Sequence, residues 1–323
     1  MSGIEGARVL VIGGAGFIGS WVVRLLVEEP VDQIVIFDNF TRGRLANIAE
    51  ALKDPRVEVF QEGGEILHTD ILRRAMEGMD YVIHLAALWL LHCQEYPRAA
   101  FKVNVEGSFN VMEAAVELGV KRVVFSSSAS VYGNALRVPM DEDHPLNNTT
   151  FYGATKIAVE QMLTAFHHRY GLEFVGLRYM NVYGPGQDYR GAYVAVLMHW
   201  LRAITEGRPI VIHGDGTQTY DFVYVEDVAR ANVLALTRGK PGAFYNVGSG
   251  VGTSLNELAK LLLKVAGAES LGIRYESPSR AVAVTKRIGD PTRAKQELGF
   301  EAKVGLEEGL KKLMEWFRRE QQE

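Results

Sequence analysis

The run Val9–Val23, VLVIGGAGFIGSWVV, places four glycines between a β-branched segment and an apolar helix face. Ala7 to Ile12 reads as a fully buried parallel strand, and Phe17 to Leu26 as a helix whose apolar residues recur about once a turn. The glycines fall where strand becomes helix. There the chain has to turn tightly, admit a ligand to its backbone, and aim the free N–H groups of the first helical turn at an anion. Gly13, Gly16 and Gly19 are spaced GxxGxxG, a relative of the dinucleotide fingerprint. An ordinary tight turn accommodates the same triplet, so the surrounding sequence has to carry the argument.

About twenty residues on, Gln33–Phe37 forms a second β-like run and ends in Asp38, where a dinucleotide site needs a carboxylate for both ribose hydroxyls. An acid there favours NAD over NADP, because a 2′-phosphate would meet a like charge. Arg42 and Arg44 soften that preference without reversing it. Further strand-like runs at Val57–Phe60, Tyr81–Leu85, Arg122–Ser126 and Glu173–Arg178 alternate with helical patterns at Ile71–Met79, Pro97–Leu118 and Tyr152–Tyr170. This alternation predicts an α/β fold, a doubly wound parallel sheet with helices on both faces and ligands at the carboxyl ends of its strands.

After Arg178 the regularity breaks into turn-rich sequence. Helices are predicted around Ala192–Glu206, Ser254–Ala266 and Gly305–Glu320. The later chain therefore reads as a smaller lobe closing over the carboxyl edge of the sheet. Residues 1–180 form the sheet domain, rejoined by about 218–248, and 181–217 with 249–323 form the lobe. No Pro/Ser-rich linker, repeat or low-complexity tract separates them.

With 323 residues the chain is long enough for one large domain or two intimate ones. A net charge of −4 and the lack of a basic stripe argue against nucleic acid as the main partner. The single cysteine, Cys93, excludes an internal disulfide and a multi-cysteine metal site, fits a reducing cytoplasm, and reads as a small packed side chain. No signal-peptide pattern opens the sequence, and no apolar run approaches the ~18 residues of a membrane span. The expected protein is soluble and cytoplasmic, without a resident metal.

The chemistry concentrates in FYGATK, Phe151–Lys156. Tyr152 and Lys156 stand i, i+4 and so share a helix face. A neighbouring cation is expected to lower the tyrosine pKa toward neutrality and suit Tyr152 to exchange a proton with a substrate hydroxyl. Upstream, FSSSASVYG, Phe125–Gly133, puts a hydroxyl cluster at a strand's carboxyl edge.

Glycine-rich turn, strand-end acid, hydroxyl-bearing strand end and YxxxK, in that order, resemble the short-chain dehydrogenase/reductase superfamily in its extended branch of nucleotide-sugar enzymes. The resemblance spans nearly the whole chain. HLAA at His84–Ala87, NVEGSFNVMEA at Asn104–Ala114, RYMNVYGPG at Arg178–Gly186, HGDGTQTYDFVYVEDVA at His213–Ala229 and NVGSG at Asn246–Gly250 all match as they stand.

The resemblance implies a Rossmann sheet and these roles. Gly13, Gly16, Phe17, Ile18 and Gly19 hold the pyrophosphate of NAD, and Asp38 and Asn39 the adenosine ribose. Asp70 and Ile71 flank the adenine, while Leu85, Ala86 and Ala87 line the middle of the cofactor. Tyr152 and Lys156 reach the nicotinamide ribose. Ser128 and Tyr152 act on the sugar's reacting oxygen, and Asn181 meets the substrate diphosphate. Asn104 and Tyr132 read as buried hydrogen-bonding residues outside the chemistry.

Enzymes of this branch begin by removing hydride from C4 of a nucleotide-linked sugar and differ in what assists afterwards. Dehydratases carry Asp-Glu or Glu in the two positions after the serine, UDP-glucuronate decarboxylases place Glu at the second, and GDP-mannose 3,5-epimerases place Cys. Here the positions hold Ala129 and Ser130. The resemblance therefore implies C4 epimerisation, most like UDP-glucose 4-epimerase, on a UDP-sugar, with NAD retained and a homodimer built from the helices Pro97–Leu118 and Tyr152–Tyr170. One alternative is a 4,6-dehydratase or decarboxylase drawing its acid from His92 or Glu142. Another is a non-catalytic NAD-sensing protein.

The chain departs from the branch in three places. Tyr220 replaces the usual diphosphate-binding arginine, with Arg280, ten residues before Asp290, as the expected compensating cation and Arg287 as the runner-up. Leu88–Gln94 is bulkier than the family's usual small, polar loop and lies near the nicotinamide and sugar, where Trp89 reads as structural packing and His92 as either packing or a shaper of the pocket. Gln61–Thr69 has no assigned counterpart.

Overall fold

The computed structural model describes residues 3–190, 195–277 and 284–322. Strands β1 (Arg8–Ile12), β2 (Gln33–Phe37), β3 (Val57–Val59), β4 (Tyr81–His84), β5 (Arg122–Ser128) and β6 (Phe174–Tyr179) fall where the β-like runs predict them, within two residues at each end. They are short and apolar, and those inside the sheet are covered on both faces, as a doubly wound sheet requires. After β7 (Asn181–Tyr183), β8 (Ile210–His213) and β9 (Thr219–Tyr224), strand β10 (Ala243–Val247) returns to pair with β6. The result is a seven-stranded parallel sheet in the order β10-β6-β5-β4-β1-β2-β3. The order reverses between β1 and β4, and the crevice outside their carboxyl ends is where such sheets take ligands.

The remaining strands build the lobe. β11 (Gly252–Ser254) and β13 (Lys286–Arg287) flank β9, which also pairs with β7, while β12 (Ile273–Glu276) pairs with β8. Of the stretch expected to rejoin the sheet, β10 does so, whereas β9 centres the lobe's four-stranded sheet. A helix the sequence pattern did not single out, Val225–Thr237, follows β9 and packs on the helix after β1. The lobe has its own apolar core, in which Trp200, Leu201, Leu258, Leu262, Leu313 and Phe317 meet.

Helix ends follow local chemistry. Thr150 caps Phe151–Tyr170 by accepting the Gly153 N–H, and Gly171 ends that helix in the left-handed conformation. Ser254 and Glu257 form a capping box at Leu255–Ala266. The long helix expected over Pro97–Leu118 is interrupted: Phe101–Gly107 is a π-helical stretch between Pro97–Ala100 and Ser108–Glu117. π-bulges of this kind are frequent at functional sites, and here the stretch carries Asn104. The predicted helix Ile71–Met79 begins earlier and ends sooner, at Thr69–Met76. Val196–Thr205 covers the described part of the helix expected at Ala192–Glu206.

Candidate active site

Glycine is required at the first turn for two separate reasons. Gly13 has φ +84°, and a Cβ there would lie 2.9 Å from the Ala86 nitrogen. At Gly19 a Cβ would lie 2.1 Å from the Gly13 carbonyl oxygen, so the helix could not sit so close to the turn. Gly16 is the N-cap of helix Phe17–Val27 and no side chain caps it. The first-turn N–H groups, those of Phe17, Ile18 and Gly19 among them, therefore face the crevice as an anion cradle. This cradle fits a dinucleotide pyrophosphate.

Asp38 follows β2 and receives the N–H of Ala15 at 2.9 Å on Oδ2 and that of Phe40 at 2.8 Å on Oδ1. Burial pushes its carboxyl above the ordinary range, against the N–H groups of Phe40, Ala15 and Gly16 that favour the charged form. The sequence reading put Asp70 and Ile71 beside the adenine, but the structure brings a different acid–isoleucine pair to this loop. Asp70 is exposed on the first turn of its helix, and Ile71 packs beneath Gly63. Instead, Gly64 lies against the Asp38 carbonyl, where any Cβ would overlap it, and Glu65 accepts a 2.9 Å bond from the Asn39 amide. Ile66 follows, 2% exposed. Of the residues without a counterpart, Gln61–Thr69, Gly64 and Glu65 are thus the ones that meet Asp38 and Asn39.

Leu85, Ala86 and Ala87 follow β4, and the Leu85–Ala86 peptide packs against Gly13. Asn104 holds the next residue from both sides: the Leu88 N–H donates to its Oδ1 at 2.7 Å, and its Nδ2 donates to the Leu88 carbonyl at 3.0 Å and to Thr155 at 3.2 Å. Cys93 is buried, its thiol donates to the Leu88 carbonyl, and burial pushes its pKa to about 11, so it is a packed residue. Trp89 lies under the Arg42 guanidinium at 3.7 Å and edge-on to His92. Arg42 in turn pairs with Asp188 at 2.8 Å, so three loops meet here.

Ser128 ends β5, its Oγ accepting the Ser130 N–H at 3.1 Å. Its Oγ donates to the Ser130 hydroxyl at 3.2 Å, and it stands beside the Tyr152 phenol, whose charged form it favours. Lys156, 3% exposed, donates to the Ser126 carbonyl at 2.6 Å, and its Nζ stands 5.7 Å from the centre of the Tyr152 ring. The structure brings Ser128, Tyr152 and Lys156 together. The sequence's expectation of a lowered tyrosine pKa is not met. Burial pushes the Tyr152 phenol up to about 12, against Ser128 and Arg287, which pull it down, while burial brings Lys156 down to about 8. The cation that pulls the phenol down is Arg287, and desolvation outweighs it.

Asn181 opens β7, half-buried, at the start of the lobe. Tyr220 uses its hydroxyl internally, donating to the Val284 carbonyl at 2.7 Å. Arg280 lies outside the described residues. Arg287 stands directly opposite Tyr220 in the parallel register of β13 and β9. Tyr132 and Asn246 bond to each other at 2.8 Å and take no part in the crevice. Among the described residues no three His, Cys, Asp or Glu gather as a metal site.

The sequence model of the NAD dependent epimerase/dehydratase family matches residues 9–248. The chain belongs to this family. It is an NAD-dependent enzyme of the nucleotide-sugar branch of the extended short-chain dehydrogenase/reductases. Among its relatives, the UDP-glucose 4-epimerase of Mycolicibacterium smegmatis is 36% identical across 98% of this chain and 100% of its own. The dTDP-glucose 4,6-dehydratase of Streptomyces griseus is 33% identical across 97% and 94%. The crystal structure of UDP-glucose 4-epimerase from Thermotoga maritima with UDP-glucose superposes with a TM-score of 0.89 at 36% identity, covering 97% of this chain and 99% of that one. Epimerases and dehydratases thus resemble this chain about equally, and the chemistry has to be argued from the site.

Proposed function

We propose that the protein is an NAD-dependent C4 epimerase of a nucleotide-diphosphate sugar, a UDP-sugar of the glucose/galactose type. The observation that carries this reading is the composition of the turn after β5. Ser128 meets Tyr152, and the next two positions are Ala129 and Ser130, both enclosed and without a carboxyl or thiol. Nothing there can remove a proton at C5 or expel water from C6. His92 is packed between Trp89 and Tyr96. Glu142 is engaged by the Asn246 N–H at 2.8 Å and lies 3.5 Å from Arg293, so it is tied into packing.

Bound NAD supplies the hydride acceptor and donor. The chain's own residues hold and move the proton. Ser128 would orient the C4 oxygen, and Tyr152, once ionised to the phenolate with the help of Lys156 and of the positive charge NAD would bring, would take the C4 proton as the carbon is oxidised and return it after the sugar has turned over. Lys156 keeps positive potential behind the phenol. Positioning of C4 in a water-poor crevice supplies much of the rate. Phe17, Ile18 and Gly19 offer N–H groups to the pyrophosphate, Asp38 holds the adenosine ribose with Asn39, and Glu65–Ile66 flanks the adenine. Asn181 meets the substrate diphosphate.

The relatives named for UDP-glucose support UDP as the nucleotide. A homodimer through the helices at 97–117 and 151–170 is supported by an outward apolar face: Phe101 is 59%, Phe109 40% and Phe151 55% exposed. The single, buried cysteine fits a reducing cytoplasm, and among the described residues no helix is long and apolar enough to cross a membrane.

The test is an NMR time course of the enzyme with NAD and a panel of UDP-, dTDP- and GDP-sugars. A C4 epimer without net reduction of the cofactor supports the reading. Accumulation of a 4-keto sugar, or of carbon dioxide, overturns it in favour of dehydration or decarboxylation.

A further inference from the structure

We infer that Glu160 is a positioning residue for the reacting end of the site: with Arg178 it holds the chain on either side of Ser128 and so fixes that hydroxyl against Tyr152. The role rests on the proposed reading of Ser128 and Tyr152. Tyr152, Lys156 and Glu160 stand on successive turns of one helix. Each of them meets the end of β5. Tyr152 stands beside Ser128, the Lys156 Nζ donates to the Ser126 carbonyl at 2.6 Å, and the Ser127 hydroxyl donates to Glu160 Oε1 at 2.6 Å.

The far side of Ser128 is held through the same carboxylate. Arg178 lies beside Ser127 in the register of β5 and β6, and forks onto Glu160 with bonds of 2.9 Å from Nε and 2.8 Å from Nη2. Its Nη1 donates to the Tyr132 hydroxyl at 2.8 Å, and that hydroxyl donates to Asn246. Ser127 directly precedes Ser128, and Tyr132 closes the turn that follows it, so the Glu160–Arg178 pair grips the chain before and after the serine that meets Tyr152. Helix and turn are also in close contact, for a Cβ on Gly153 would lie 2.6 Å from the Ser130 carbonyl oxygen.

Stability alone does not account for this arrangement. An enclosed ion pair costs desolvation and is often no more stabilising than apolar residues of the same volume. Ser127, Glu160 and Arg178 are all buried, and their side-chain bonds run to one another, to Tyr132 and to the Glu142 carbonyl. Glu160 also acts on Lys156 by its charge. Of the titratable groups around that ammonium, burial keeps the Cys93 thiol, the Tyr152 phenol and the His84 imidazole neutral at neutral pH. Glu160 is the carboxylate that favours the charged lysine.

The test compares the NAD-loaded wild type with Ser127→Ala, which keeps the ion pair and removes only its bond to β5, and with Glu160→Gln. Steady-state kcat and KM for UDP-glucose, NAD affinity and melting temperature are measured, and Lys156 is titrated by NMR on isotope-labelled lysine. Misplacement of Ser128 predicts kcat about 10- to 100-fold lower in Ser127→Ala, with KM and NAD affinity within about twofold of wild type. Loss of the carboxylate predicts a Lys156 midpoint about one pH unit lower in Glu160→Gln, and no such shift in Ser127→Ala. A merely structural pair would lower the melting temperature and leave both the turnover of the folded enzyme and the lysine midpoint where they were. Wild-type kcat in folded Ser127→Ala overturns the inference, as does a wild-type lysine midpoint in folded Glu160→Gln. Should Glu160→Gln fail to fold, Ser127→Ala decides alone. The lysine titration needs no substrate, so a wild type that leaves UDP-glucose unchanged counts against the proposed function and leaves the titration to decide the role of Glu160.

Discussion

Arg178, at the end of β6, and Arg287, on the lobe strand beside Tyr220, are guanidiniums in similar low-dielectric surroundings and in opposite states. The Arg178 side chain is 6% exposed and Glu160 1%. They share two bonds of 2.8 and 2.9 Å, and Arg178 also donates to the Tyr132 hydroxyl and the Glu142 carbonyl. Burial disfavours its charge, but these bonds win and raise its pKa. At Arg287 no such set of acceptors exists among the described residues, and burial prevails. The difference separates a cation whose charge the fold satisfies from one whose charge burial disfavours. Lys156 falls between them, with one bond to the Ser126 carbonyl and a ring face at its back.

The sharpest break of this comparison comes at the reacting end. Tyr152→Phe keeps the packing of the ring and removes the proton carrier. Turnover should fall about 10²- to 10⁴-fold with NAD affinity unchanged, measured by steady-state epimerisation and cofactor titration. Retained turnover would mean that another group moves the proton. Arg178→Met should act on folding instead. It leaves the Glu160 carboxylate enclosed without its partner, at a cost of about 3–5 kcal/mol read by urea denaturation.

Lys156 gives a test in pH. Its pKa is about 8 in the folded chain and near 10.5 when unfolded. Between those values the unfolded chain holds a proton that the folded chain has released. Stability therefore rises with pH across that window, by on the order of 3 kcal/mol, and below pH 8 the folded chain carries the full cost of the buried charge. Lys156→Met should lack this slope in urea unfolding at pH 7.5, 9 and 10. A parallel pH dependence in the two proteins would contradict the burial argument.

The smallest effect is expected where all partners are partly exposed. Arg42 and Asp188 side chains are each 36% exposed, and Arg42 stacks on Trp89. Their joint contribution is about 0.5–1 kcal/mol. Arg42→Ala should speed release of NAD by only about two- to fivefold in stopped-flow displacement, and a much larger change would move this cluster into the cofactor site.

The parts of the site that rest on short spacings were legible. The glycine turn needs one strand, one turn and one helix, all within Val9–Val23, and Tyr152 and Lys156 need only one helical turn between them. Parts that depend on where distant loops land were not. Asp70–Ile71 and Glu65–Ile66 are both acid–isoleucine pairs five residues apart, and what separates them is that Gly64 lets its loop close onto Asp38. The lobe strands escaped notice because strands of two to six residues leave little periodicity. The helix Val225–Thr237 hid behind a sheet-forming neighbour of similar composition.

Residue order was enough to specify the parallel sheet, the glycine turn after β1, and the shared helix face of Tyr152 and Lys156. Each follows from repeats of two or 3.6 residues, or from a turn that only glycine can make. The folded chain was needed for the protonation of the site, where burial outweighs the neighbouring charge, and for the pairing of β13 with β9. That pairing brings Arg287 to Tyr220 across 67 residues of sequence. Desolvation and long-range strand register depend on what surrounds a residue in space, and no local pattern encodes that.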